Sequence, residues 1–425
     1  MMKKNLVIVD GVRTPFCKAG TDLAGLAADE LGRIAVNALL TKTGLDPKLV
    51  SEVIIGCVGQ PHDSANLGRV IALRAGIPES VPAITVSRNC ASGMESFTQA
   101  YEKMCAGRGE VFVVGGVESM SNYPFIYSDS AKARLTRLSR AKSFGHRVKA
   151  LLSFRPSDFK PRIALQMGLS DPVCGLNMGE TAEILAREGG ITREAQDAFA
   201  LESNHRAEAA TEKLAEEICP VYIGGKAIVR DNGVRENQTL EALNKLRPVF
   251  DRQNGTVTAG NASQITDGAV ALLVMSEDKA EELGLKPLGR LVGYAYAGCE
   301  PSRMGLGPVY AISRAEEETG LSLSSADLIE INEAFAVQVL AVMKASSSEK
   351  FARKVLGRAY PVGEISTDQL NVNGGGIALG HPVGATGARL VLTSLKELRR
   401  RGQQRALISL CVGGGQGAAI WLEAL

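Results

Sequence analysis

The sequence lacks most of the signals by which a protein class is read at a glance. It has eight cysteines, Cys17, Cys57, Cys90, Cys105, Cys174, Cys219, Cys299 and Cys411, and none stands in a C-x-x-C pair. That fits neither a disulfide framework nor a zinc ribbon, and it favours a reducing, cytoplasmic setting. The four histidines, His62, His146, His205 and His381, also lack metal-type spacing. No apolar run is long enough to span a membrane. Met1 to Asp10 holds two lysines and a short apolar run, which reads as a first strand and not as a signal peptide. Charge of one sign is missing too. A net formal charge of +2 excludes the basic excess of a dedicated nucleic-acid binder.

Glycine is what the chain has in plenty. Its 46 glycines fall in clusters, the pattern of tight turns and of backbone pressed against a ligand. At 425 residues the chain is too long for one ordinary core, so two or three domains, or one duplicated unit, are expected. The pattern favours duplication. Leu31 to Gly56 holds an amphipathic helix, a Thr43-Gly44-Leu45 stop and an apolar strand. Val309 to Ile331 repeats that order around Thr319-Gly320-Leu321. In a second pair, Gly93 opens a helical pattern that closes at Gly107, ahead of the strand Val111 to Val114. Gly387 opens another that closes at Gly402, ahead of Ala406 to Leu410. Helices alternating with strands imply α/β layers rich in parallel strands. Residues 123–250 interrupt this pattern and hold one long helix, Arg193 to about Glu217. The expected division is an N-terminal half of residues 1–122 with 251–285, a loop domain of 123–250, and a C-terminal half of 286–425.

Four positions have the surroundings of reactive groups. Cys90 lies in Ser87-Arg88-Asn89-Cys90-Ala91-Ser92-Gly93, where an apolar strand ends and a helix begins. The positive end of that helix favours thiolate over a thiol that ordinarily titrates at about 8.5. The alternative is a small buried cysteine filling a turn. His381 is flanked by glycines from Gly374 to Gly387. A neutral imidazole there either takes a proton from a thiol or only hydrogen-bonds within its loop. A phosphate loop would need a Walker lysine, which is absent. Cys411 ends an apolar strand before Gly413-Gly414-Gly415, whose free N–H groups suit an oxyanion; otherwise it is a core cysteine. Asn332 follows the strand Leu328 to Ile331. It reads as a helix cap, or as a holder of a water or a carbonyl oxygen. All four sit at strand ends or in glycine-rich loops, where α/β folds place ligands.

The blocks around these residues resemble the thiolase family. Asn89-Cys90-Ala91-Ser92-Gly93-Met94-Glu95-Ser96, Asn332-Glu333-Ala334-Phe335-Ala336, the glycine-rich run around His381, and Cys411 to Gly417 are similar to its four active-site blocks, in its order. Gly260 to Ala269 is similar to its pantetheine-contacting segment. The resemblance covers essentially the whole chain. It implies the thiolase fold: two αβαβα-layered halves with pseudo-twofold symmetry and an inserted loop domain. It implies an acyltransferase that cleaves 3-ketoacyl-CoA, with coenzyme A as co-substrate and no metal or other cofactor. The implied roles are specific. Cys90 is the nucleophile that becomes acylated. His381 activates it and helps bind the thioester oxygen, and Asn332 holds a water in that same oxyanion site. Cys411 exchanges the proton with the substrate carbon. The N–H groups of Cys90 and Gly413 form a second oxyanion hole. Ser263, Met178 and Phe335 line the pantetheine and acyl channel.

Between Lys132 and Arg162, ten residues are Lys or Arg and one, Asp158, is acidic. Leu135, Leu138, Phe144, Val148, Leu151, Leu152 and Phe154 are interleaved with them. Such a stretch suits peripheral contact with an anionic membrane, an acidic partner or the CoA phosphates, or else is a solvated face. This insert, with Phe351 to Glu364, resembles the β-subunit of the bacterial fatty-acid oxidation complex, although that subfamily usually carries His where Asn332 stands. The resemblance implies fatty-acid β-oxidation of broad or long chain range, a homodimer or tetramer, and a hydratase/dehydrogenase α-subunit as partner. The alternative is an acetoacetyl-CoA thiolase restricted to short chains. A non-catalytic acyl-CoA or lipid carrier, and a cysteine hydrolase using Cys90 and His381, are the readings from other classes.

Overall fold

A computed structural model describes residues 5–425; the expectation for Met1 to Lys4 lies outside them. The principal strands are β1 (Leu6–Arg13), β2 (Glu52–Gly56), β3 (Ala83–Val86), β4 (Val111–Ser119), β5 (Thr266–Ser276), β6 (Gly289–Gly298), β7 (Leu328–Ile331), β8 (Arg405–Val412) and β9 (Gln416–Ala424). They form one sheet in the order β7-β8-β9-β6-β1-β5-β4-β2-β3. That order is a duplication. From its outer edge inward, the first half runs β3, β2, β4, β5, β1, and the second runs β7, β8, β9, β6. β2 pairs with β4, and β7 with β8, in parallel. The next two pairings inward are antiparallel in both halves, so the sheet is mostly antiparallel and not rich in parallel strands as its helix–strand alternation suggested. A parallel bridge from Ile329 to Leu370 stands where β3 stands in the first half. The halves join through Val7 with Arg290 and Ile8 with Gly289.

The main helices are α1 (Ala28–Thr43), α2 (Ser92–Cys105), α3 (Met178–Gly189), α4 (Arg193–Ala209), α5 (Gly307–Thr319), α6 (Ala336–Ser346) and α7 (Val383–Arg401). Apolar patterning decides their layers. α2 and α7 lie between the two halves of the sheet. Met94, Phe97, Leu390, Val391 and Leu395 pack with Ile54, Phe112 and Val114 of one half and Ile408, Leu410 and Ile420 of the other. Leu31, Val36 and Leu39 of α1 cover the outer face of the first half. Val309 and Ile312 of α5 cover that of the second. Both outer helices end on a left-handed glycine, Gly44 and Gly320, whose N–H groups donate to Leu40 O and Glu316 O and so cap the last turn. The sequence of layers is αβαβα, as expected.

Two helices differ from expectation. α7 begins at Val383, not Gly387, because Pro382 precedes it and the Glu118 carboxylate takes the Gly384 N–H at 3.0 Å. The helix expected from Arg193 to about Glu217 breaks at Ala210, and a short helix, Thr211–Ala215, follows. The Thr211 hydroxyl turns back onto Ala207 O and Glu208 O there, competing with the backbone ladder. The basic insert folds as two short helices, Asp129–Ser139 and Phe144–Leu151. Among the described residues no helix is long and apolar enough to cross a membrane.

The central helices meet at glycine. A methyl carbon on Gly93 would lie 2.7 Å from Ala388 N, and one on Gly387 would lie 2.6 Å from Met94 N. A methyl carbon on Gly116 of β4 would overlap Gly384 O. Gly116→Ala is therefore expected to cost about 3 kcal/mol, the upper end for overpacking, read as a lower urea midpoint. Gly145→Ala, with open space around it, is the control that leaves the midpoint unchanged or raises it.

Candidate active site

β3 ends at Val86 and α2 begins at Ser92, so Cys90 sits in the turn between them. Asn89 takes φ 43°, a left-handed conformation that Asn tolerates better than most residues. Its Nδ2 donates to Gly413 O at 2.7 Å. The Ser92 hydroxyl donates to Asn89 O (2.6 Å) and accepts from the Arg88 N–H (2.9 Å). These bonds fasten the Cys90 turn to the glycine loop after β8. The backbone N–H groups of Gly413 and of Cys90 itself act on the Cys90 sulfur, each favouring its thiolate. The thiol corrects one expectation. Burial pushes it up, and the two N–H groups offset only part of that. Loss of water outweighs the helix end, so the resting group is a thiol that needs a base beside it.

His381 is buried at the start of α7. Its Nδ1 lies 2.6 Å from the Thr386 hydroxyl, which donates onward to Pro382 O at 3.2 Å. Thr386 thus accepts from Nδ1–H, and this network assigns the lone pair to Nε2. Nε2 faces Asn332 Nδ2 at 3.4 Å. Burial, together with the Arg389 cation, holds His381 down at about 3, so the imidazole is neutral. Asn332 is not a helix cap, because α6 starts at Ala336 with Phe335 as its N-cap. It is buried, and its Oδ1 has no protein partner. A buried free acceptor of this kind is a place for a water or a polar substrate group.

Two buried carboxylates hold these loops, and the sequence reading singled out neither. Glu333 accepts from Ser203 Oγ (2.6 Å), Asn371 Nδ2 (2.8 Å) and the Ile377 N–H (3.2 Å). It ties the glycine run before His381 to the end of β7. Glu118, at the end of β4, accepts from the N–H groups of Val58 (3.1 Å), Gly59 (2.8 Å) and Gly384 (3.0 Å) and from the Tyr123 hydroxyl (2.8 Å). The available signal was an acidic residue closing the otherwise apolar run Val111 to Val117.

The site has two arms. Cys90, Asn89 and Gly413 open on a largely apolar cavity of about 300 Å³, walled by Val58, Tyr123 and Met167 among others. His381, Ser263, Gln264 and Phe335 open on a larger one of about 740 Å³ that reaches Lys18 and Arg235. Met120, Leu165, Leu169, Met178 and Val383 line both. Phe335 stands edge-on to Phe250 with ring centres 6.1 Å apart. The sequence thus named six wall residues: Cys90, Gly413, Met178, Ser263, Phe335 and His381. Asn332 and Cys411 sit behind the walls, fully buried. Burial first, and then the nearby Cys90 sulfur, pushes the Cys411 thiol well up. Among the described residues no group of three or more His, Cys, Asp or Glu is arranged to hold a metal ion.

Known proteins share the sequence and the fold. Two family descriptions match the chain: "Thiolase, N-terminal domain" over residues 6–278 and "Thiolase, C-terminal domain" over residues 285–424. A 3-ketoacyl-CoA thiolase of Pectobacterium atrosepticum is 41% identical over 423 residues, 98% of this chain and 96% of that protein. One of Yersinia pestis is 40% identical with the same coverage. The crystal structure of the Bacillus anthracis acetyl-CoA acetyltransferase superposes with a TM-score of 0.87 at 38% identity, over 100% of this chain and 99% of that one. Human mitochondrial 3-ketoacyl-CoA thiolase in complex with CoA superposes at 0.86, with 38% identity and the same coverage.

The buried histidine carries a pH dependence. Its folded pKa lies below the ordinary 6.5, so the unfolded chain takes up the proton first as pH falls. His381 therefore withdraws stability between about 6.5 and 3 and leaves it intact above that window. His381→Gln is expected to lose stability less steeply than the wild type over this range, measured as urea midpoint against pH.

Proposed function

The chain belongs to the thiolase family, and we propose on that footing that it cleaves 3-ketoacyl-CoA with free CoA, giving acetyl-CoA and a shortened acyl-CoA. The observation that carries this reading is the Cys90 sulfur, on which the Gly413 and Cys90 N–H groups act, in an apolar cavity that shares five wall residues with a larger one lined by His381, Lys18 and Arg235. The apolar arm suits an acyl tail. The larger arm suits the pantetheine of CoA, with Lys18 and Arg235 available to its phosphates.

Each residue then has a task. The Cys90 sulfur attacks the keto carbon while its proton passes to His381 Nε2. The transfer creates an ion pair and no net charge, so the burial that opposes each ion alone is partly balanced by their attraction. The keto oxygen becomes an oxyanion between the N–H groups of Cys90 and Gly413. Collapse of that adduct breaks the carbon–carbon bond and leaves the enolate of acetyl-CoA. Its oxygen lies toward His381 and a water held by Asn332. The Cys411 thiol, kept protonated by burial, gives its proton to the enolate carbon. Free CoA then loses its thiol proton to Cys411 and attacks the acyl-Cys90 thioester. Collapse expels the Cys90 sulfur, which takes back its proton from His381, so the shortened acyl-CoA leaves and both cysteines and the histidine are restored. Two acyl transfers replace one difficult cleavage, which is the use of a covalent nucleophile.

The same reading places the enzyme in fatty-acid degradation, in the cytoplasm, as a homodimer or tetramer, with a hydratase/dehydrogenase α-subunit as its further partner. It keeps the division into two halves, 1–122 with 251–285 and 286–425, and a loop domain of 123–250. Phe144 and Leu152 are more than four-fifths exposed among the insert's basic residues, which supports peripheral contact with anionic lipid. The likeness to an acetyl-CoA acetyltransferase favours a second reading, a short-chain enzyme. Turnover confined to acetoacetyl-CoA would select it.

Incubation with acetyl-CoA is expected to give a mass adduct that maps to Cys90 and is absent in Cys90→Ser. A wild-type protein that forms none would sink the proposal. Asn332→Ala is expected to lower kcat by about 10²–10³, the cost of removing one oxyanion-site group, checked by thiolysis of a 3-ketoacyl-CoA.

A further inference from the structure

We infer that Tyr123 sets the acyl-length limit of this site and that Glu118 holds it in position; the inference rests on the acyl-enzyme reading above. Tyr123 walls the cavity that contains Cys90. Met120, Leu165, Met167, Leu169 and Met178 line the same cavity. Those are flexible aliphatic and thioether side chains, which yield to a guest by changing rotamer. Tyr123 cannot yield in that way. Its hydroxyl donates to Glu118 Oε1 at 2.8 Å. The Gly59 backbone lies so close to the ring that a methyl carbon there would overlap it. The same carboxylate accepts from the N–H groups of Val58, Gly59 and Gly384. A ring bonded and packed at its hydroxyl end is a stiff aromatic element beside flexible thioether and leucine side chains, so a lengthening chain stops where its end meets that ring.

The anchor has a second consequence. Gly384 lies in the first turn of α7, directly after the His381 loop. One buried carboxylate therefore positions both the acyl wall and the start of the histidine helix. Loosening the tyrosine leaves Glu118 with its three backbone donors, so the histidine side stays held while the wall moves.

The experiment compares wild type, Tyr123→Phe and Tyr123→Ala on straight-chain 3-ketoacyl-CoA substrates from acetoacetyl-CoA to long chains. Cys90 adduct formation from acetyl-CoA is measured in parallel. Tyr123→Ala is expected to raise the ratio of kcat/KM for long over short substrates by about tenfold or more, the scale of discrimination in an apolar pocket. Tyr123→Phe, which keeps the ring and the fold but releases the tip, should move the ratio the same way by less. A ratio unchanged in both variants, or an equal loss at every length, with the Cys90 adduct intact, overturns the role of Tyr123 alone. An absent adduct in the wild type overturns the acyl-enzyme reading and this one with it.

Discussion

The close approach of α2 and α7 is the constraint on which the rest depends. Each helix carries one half of the site at its N-terminal end: the Cys90 turn leads into α2, and the His381 loop leads into α7. The helices can bring those ends together only if their backbones nearly touch. Gly93 and Gly387 permit it, since a side chain on either would strike the other helix's backbone. Gly116 lets β4 approach Gly384 in the same way. A fold built twice from one unit thus gains its chemistry at the seam, where neither copy has a complete site.

Once the ends are together, water is the next term. Burial pushes the Cys90 and Cys411 thiols up and the His381 imidazole down. Each group is therefore neutral at rest, as a dry site requires. Neutral groups suit an acid and base that exchange protons within the site, and they make the N–H donors of Cys90 and Gly413 the main fixed polarity facing the sulfur. The buried carboxylates have a structural task. Glu118 and Glu333 hold backbone N–H groups and side-chain hydroxyls, and so hold the loops that carry the reacting atoms.

Much of the fold was legible because it is periodic. Apolar spacing marked α1, α5 and the strands that follow them, and the stops at Gly44 and Gly320 proved to be left-handed caps. The starts of helices were less legible. α7 begins earlier than its glycine suggested because a carboxylate from β4, far away in the chain, takes the Gly384 N–H. Asn332 read locally as a cap, and the structure instead leaves its Oδ1 buried and free.

By itself, the sequence determined the duplicated order of helices and strands, and which cysteines, histidine and asparagine stand at strand ends. Those properties are local, set by side-chain period, turn chemistry and composition. Tertiary structure decided the state and company of these groups. The bond from Asn89 to Gly413 joins residues 324 positions apart, and no local pattern announces it. The thiol of Cys90 moves up although the Gly413 and Cys90 N–H groups pull it down, because its burial depends on the whole surrounding core. The two arms of the cavity, and the tyrosine clamped between Gly59 and Glu118, exist only after those distant segments meet.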